Sequence, residues 1–206
     1  MKKFLDTSAE MQLTKWANTV VIIVFLSYFL VNLAAFLSVR HGKQAWDYAS
    51  YATPLFWLCL ATYAFSVMIL TRWVYYCYKN ISMIGKLQHG VKWAVAYFYI
   101  PALNLVYPGR VLEEIWYRLQ IMNGVKPKGN SYINLWSYSY FISLFLILIM
   151  VIVNSPNYKV GLTRNMVCSG LIILSTWSLN KALKQLAFQE KKGYRNYNIN
   201  FPEGDD

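Results

Sequence analysis

The chain has 206 residues, 57% of them apolar and only 14% charged, with 17 tyrosines, 8 tryptophans and a formal net charge of +11. A soluble domain carries about a quarter charged residues, so this composition excludes an ordinary water-soluble fold and makes lipid the solvent. The basic excess sits in loops beside apolar runs, where it fits the positive-inside rule rather than a nucleic-acid surface.

In chain order, Lys2 and Lys3 precede an apolar run at 17–39. That run exceeds the ~7–15 residues of a signal sequence and has no small-x-small cleavage site, so it reads as a retained first span. A helix needs about 20 apolar residues to cross ~30 Å of hydrocarbon. Segments 53–74 and 133–153 meet this requirement. A fourth span at 163–183 has a shorter apolar stretch, Met166–Leu179, with Arg164 and Lys181 placed to snorkel to opposite interfaces. Trp46, Tyr48, Tyr51, Trp73, Tyr75, Tyr76, Tyr132 and Trp136 cluster where interfaces should fall. Cys59, Cys77 and Cys168 form no Cys-x-x-Cys pair and imply neither a disulfide framework nor a metal site.

Val91–Tyr107 is apolar but contains Pro101 and Asn104, and charge counting arbitrates its role. With four spans, 16 basic residues fall on the side of the N-terminus and 4 on the other; a fifth span at 91–107 turns this into 9 against 11. The four-span layout carries the inside bias, so both termini are expected in the cytoplasm of a bacterial inner membrane. Val91–Tyr107 then either enters the membrane and returns or lies along its interface. Pro101 should break the segment, leaving backbone groups that Asn104 can hydrogen-bond. Pro108 opens an amphipathic helix that Asn123-Gly124 ends. Val111, Leu112, Ile115, Leu119 and Met122 share one face, and Arg110, Glu113, Glu114, Tyr117 and Arg118 fall mainly on the other. Glu114 and Arg118 can pair at i,i+4. This helix is expected on the cytoplasmic interface. The expected fold class is all-α: one polytopic membrane domain over 1–206, with a motif region at 75–131 and a loose polar tail at 196–206.

The central stretch reads Trp73-x2-Tyr76-x2-Lys79-Asn80-x4-Gly85, then Trp93-Ala94-Val95, Pro101-x2-Asn104-Leu105-x2-Pro108 and Glu114-Ile115-Trp116. In these anchors the chain resembles a bacterial membrane-protein family catalogued as a domain of unknown function. The resemblance covers Trp73 to Trp116 in detail and the four-span layout overall. Tyr97-Phe98-Tyr99 replaces a Trp-rich run, and Gly109-Arg110 follows the second proline less typically. The resemblance implies an architecture and no activity.

Catalysis is poorly supported. Between Tyr48 and Gln189 the carboxylates are Glu113 and Glu114 and the histidine is His89, too few convergent groups for acid–base, metal or triad chemistry. The expectation is a non-enzymatic protein without cofactor or metal, whose candidate functional motif is Trp73, Asn80, Trp93, Pro101, Asn104, Pro108, Glu114 and Trp116. Arg72, Lys79, Lys86, Lys92, Arg110 and Arg118 are candidate contacts for anionic lipid headgroups. The expected partners are membrane lipids and a membrane protein or incoming toxin, in a regulatory, assembly or immunity role by analogy alone. Nucleic acid is not expected, and homo-oligomers are compatible with the sequence. The alternative is a small channel or transporter built around Pro101 and Asn104, to which Asn32, Thr62, Ser66, Ser169, Ser175 and Thr176 would add polar contacts. The bland reading of those residues is helix–helix hydrogen bonding.

Overall fold

The computed structural model describes residues 5–40, 48–83, 85–104, 106–152 and 158–200. Within them the backbone forms helices and no strand: α1 (Ser8–Arg40), α2 (Tyr48–Ile81), α3 (Val91–Ala96), α4 (Pro101–Asn104), α5 (Tyr107–Met122), α6 (Ser131–Ile152) and α7 (Tyr158–Asn200). Hydroxyls in the apolar helices donate back to their own carbonyls, as in Thr19 to Lys15, Ser27 to Ile23, Thr62 to Leu58 and Thr176 to Ile172. In lipid no water is available for such groups, so this local bonding lets them sit in apolar helices.

Helices α1, α2 and α7 have 33, 34 and 43 residues, or about 50, 51 and 65 Å at the α-helical rise. These three are long and apolar enough to cross a membrane, against four expected. Of the three, α7 is the least apolar, as expected of its segment. The segment expected to be weakest lies in α7, one of the three. The expected third span lies in α6, whose side chains are described only over 131–146, about 24 Å of helix. Helix α7 also runs through Asn200, so residues 196–200 of the expected loose tail are helical, while 201–206 lie outside the described residues.

Helix α1 packs along α2 and α7, and α6 along α7. Leu5 and Thr7, at the start of α1, meet Asn80 at the end of α2 and Glu190 towards the end of α7. These three ends therefore lie together, forming what is here termed the near end. Its core joins Trp73, Val74, Tyr78 and Ile81 of α2 to Leu183 and Leu186 of α7, with Ala94 and Phe98 from the 91–107 segment.

Helix α5 starts and stops as its sequence dictates, with Pro108 in the first turn, Asn123 closing on Leu119 and Gln120, and Gly124 at φ 67°. Its apolar face packs on the bundle. Val111, Leu112, Ile115 and Leu119 are buried against protein. The reason is helix length: α2 and α7 overshoot ~30 Å of hydrocarbon by about 20 and 35 Å and supply that face with close-packed partners. A Cβ on Gly109 would clash with Ser137 Oγ, so glycine there permits the approach of α5 to α6.

The 91–107 segment breaks where expected. Turns at 97–100 separate α3 from α4, and the amides of Ile100 and Asn104 close on the carbonyls of Ala96 and Ile100. These two amides are thus bonded within the turns, and the Asn104 side chain reaches Tyr140. The segment folds back along the bundle: the Tyr99 and Thr71 hydroxyls are 2.7 Å apart, and Asn104 Oδ1 accepts from Tyr140 at 2.8 Å. Thr71 lies ten residues, about 15 Å, back along α2 from Ile81.

Candidate functional site

At the near end two carboxylates are buried. Glu114 of α5 accepts the Tyr78 O–H on Oε2 at 2.5 Å and the Gln88 backbone N–H on Oε1 at 2.7 Å. It thereby ties α5 to α2 and to the 82–90 connection with charge-assisted hydrogen bonds. The expected Glu114–Arg118 pair is not made, because Glu114 is engaged inward while the Arg118 guanidinium donates to the Lys86 carbonyl. The second acid, Glu190 of α7, accepts the Thr7 O–H at 2.5 Å and the Cys77 S–H at 3.7 Å. Neighbouring residues of α2, Cys77 and Tyr78, thus serve different acids. Asn80 is fully buried and bonds one residue twice: its Oδ1 accepts the Leu5 N–H at 2.9 Å and its Nδ2 donates to the Leu5 carbonyl at 2.8 Å. Asn80→Ala should release residues 5–7 and cost roughly 1–3 kcal/mol. Amide hydrogen exchange at Leu5 checks this, and unchanged protection there would contradict it.

The remaining motif residues scatter. Trp73 is fully buried, with no partner for its indole N–H. Pro108 is buried in the first turn of α5. Trp116 donates to the Lys128 carbonyl at 2.7 Å, joined by Gln120, and so fastens the connection to α6. Trp93 is 58% exposed beside Tyr97, which stacks on Tyr107 at 4.4 Å and meets His89 edge-on at 5.2 Å. Pro101 opens α4, and its side chain lies outside the described residues. The structure therefore gathers Trp73, Asn80 and Glu114 into the packed near end, sets Pro108 beside a separate cavity and leaves Trp93 on the surface.

Asn104 leads elsewhere. Its partner Tyr140 also shares a hydrogen bond with Tyr63, and both tyrosines line a cavity with Asn18, Ser66, Ser175 and Thr176. Ser66 donates to Asn18 at 2.6 Å, and Asn18 donates to Asn180 at 3.0 Å, linking α2, α1 and α7. The volume open to water centres is about 30 Å³, room for roughly two waters. Of the hydroxyls considered for a transport path, Thr62, Ser169 and Thr176 bond within their own helices, and Ser66 and Ser175 bond across to a neighbour.

Around this packed end the cations point outward. Arg72, Lys79, Lys86, Lys92 and Arg110 are exposed, and Arg110 lies over the Tyr107 ring at 5.5 Å. Arg72 is 3.6 Å from Glu10 and remains 63% exposed. Arg118 is the exception, half-buried and held by Lys86. Among the described carboxylates only Asp6 is exposed, and the Ser8 amide bonded to it holds its carboxyl below the usual value. Among the described residues no three His, Cys, Asp or Glu side chains converge.

Sequence reasoning missed Glu190, Thr7 and the Asn18–Ser66–Asn180 chain. Glu190 had a signal: it continues the stripe of Leu179, Leu183 and Leu186 at helical spacing, so an acid stood on an apolar face. For Thr7 no local pattern existed, since its partner is 183 positions away.

A family model described as a domain of unknown function (DUF4328) matches residues 40–176. The chain belongs to the DUF4328 family. Within the DUF4328 match lie α2 to α6, including Trp73, Asn80 and Glu114, whereas Thr7 and Glu190 fall outside it. The pair of hydrogen bonds between Asn80 and Leu5 therefore joins the DUF4328 region to the N-terminal segment ahead of it. No curated protein and no solved structure matches the chain.

Proposed function

We propose that this chain is a non-enzymatic, four-crossing inner-membrane protein whose near end binds the anionic lipid surface and presents the motif region to a membrane partner. One observation carries the reading: at the near end Glu114 and Glu190 are buried and bonded while five cations point outward, leaving a basic surface. Trp93, Tyr99, Ile100 and Val106 are exposed among those cations, the mixture that suits a headgroup layer.

Connectivity supports the fourth crossing. Helix α1 leaves the near end, α2 returns to it, and α7 finishes there. Helix α6 starts there, with Asn130 donating to Gln185 at 2.8 Å. Residues 153–157 span at most about 20 Å, so α6 must carry the chain to the far end where α7 begins. The 16-to-4 split of basic residues supports a cytoplasmic near end, and cysteine labelling of 126–130 from the cytoplasmic side tests it.

The channel reading rests on the Asn104–Tyr140–Tyr63 chain. A two-water cavity favours a buried structural network over a solute path. In liposomes, the combined change of Arg72, Lys92 and Arg110 to Gln should weaken the preference for phosphatidylglycerol over phosphatidylcholine by at least tenfold at low salt. Tryptophan quenching by brominated lipids reads this. An unchanged preference would count against the proposal, and solute flux lost on Asn104→Ala with the fold intact would favour the channel.

A further inference from the structure

A second basic feature lies away from these cations. An open cleft of about 560 Å³ separates the end of α5 and the 125–130 connection from α7. Lys128 and Lys184 are exposed on its two walls, with Gln185 and Gln189 between them, and no carboxylate lines it.

The hydrogen bonds fix how the amides at the cleft are oriented. Asn130 spends its Oδ1 on the amides of Tyr132 and Ile133, so its Nδ2 is left to donate to Gln185 Oε1. Asn123 Nδ2 likewise donates to Gln189 Oε1 and to the Gln189 carbonyl. With each glutamine oxygen engaged by an asparagine, the Gln185 and Gln189 amide NH2 groups remain as donors for a ligand. Two ammonium groups and two amide NH2 groups therefore line one cleft without an opposing acid. That is the donor set of an anion site.

The surroundings name the anion's carrier. Val160, Val167, Leu174 and Trp177 are exposed along one face of α7, and Lys181, Lys184 and Phe188 continue it. Lys181 lies over the Trp177 ring at 5.5 Å, an arrangement that suits the membrane interface. Lys184 stands seven residues, about 10 Å, beyond Trp177, at the height of a headgroup reached by a flexible lysine. A lipid lying on the apolar part of this stripe would bring its phosphate to the cleft.

We propose that the α5–α7 cleft binds the phosphodiester headgroup of an anionic phospholipid, with Lys128, Lys184, Gln185 and Gln189 as its donors. The proposal rests on the membrane reading above but uses none of the five cations invoked there.

The test is native mass spectrometry of the full chain in mild detergent, titrated with phosphatidylglycerol, phosphatidylcholine or inorganic phosphate. Phosphatidylglycerol should bind at one preferred site, and Lys128→Gln with Lys184→Gln should weaken it about thirty-fold, each cation being worth roughly fivefold. Lys126→Gln, on the same connection but outside the cleft, should leave it unchanged, as should the combined Arg72, Lys92 and Arg110 variant. Loss only in that last variant would overturn the cleft while sparing the surface reading. Equal retention by the double variant, or of phosphatidylcholine by the parent chain, would also overturn it. Inorganic phosphate that binds the cleft as strongly as the lipid would assign a soluble anion instead. Unchanged thermal unfolding of the double variant shows that its fold is intact.

Discussion

Glu114→Ala is expected to destabilise the protein by roughly 3–5 kcal/mol, because it deprives two buried or part-buried donors of a charged acceptor at once. The Tyr78 hydroxyl and the Gln88 amide would be left facing a methyl group, with water poorly placed to replace the carboxylate. In detergent the apparent Tm should fall by roughly 6–20 °C. Glu114→Gln should fall between the parent and alanine, since an amide accepts on one oxygen and opposes the other donor with its own N–H. Tyr78→Phe removes one donor cleanly, so the double-mutant cycle with Glu114→Ala should show coupling of about 1–3 kcal/mol. A loss within 0.5 kcal/mol for alanine would mean that the near end is held by apolar packing alone. Arg118 should behave differently: its bond to the Lys86 carbonyl is at the surface, and truncating it should matter little to the fold.

What could be read in advance divides along sequence distance. The ends of α5 were legible because Pro108 and Asn123-Gly124 act on their own backbone neighbours, and the break before Pro101 was legible for the same reason. The surroundings of α5 were not. Its apolar face has the same pattern whether it meets lipid or protein, and the length of α2 and α7, whose nearer ends lie 26 and 36 residues away along the chain, decides which. The weakness of the last span has its cause in polar residues. Ser169, Ser175, Thr176, Ser178 and Asn180 depress the hydropathy of α7, yet the first four are buried against neighbouring helices and most of these groups are hydrogen-bonded. A hydropathy window prices each residue as if it faced lipid, which these residues do not. Several motif residues are packed. Asn80 and Glu114 are buried because each satisfies backbone from another segment, and Lys86, Lys92 and Arg110 between them are exposed.

Trp73 gives the sharpest separation of packing from polar function. Its side chain is fully enclosed in the near-end core, so Trp73→Ala should cost roughly 3–5 kcal/mol in transfer and cavity terms. Its indole N–H, however, meets no acceptor. Burying an unpaired donor carries a penalty, and removing it relieves that penalty while most of the ring volume stays. Trp73→Phe should therefore cost under about 1.5 kcal/mol, far less than the area difference between the two rings would suggest. Thermal unfolding of the two variants under identical detergent conditions measures the gap. Should phenylalanine prove as damaging as alanine, the N–H must find an acceptor in the working protein, a bound water or a ligand atom reaching the core. An anchor of the motif region would then be a polar contact, and Trp73 would move from the packing of the near end to its chemistry.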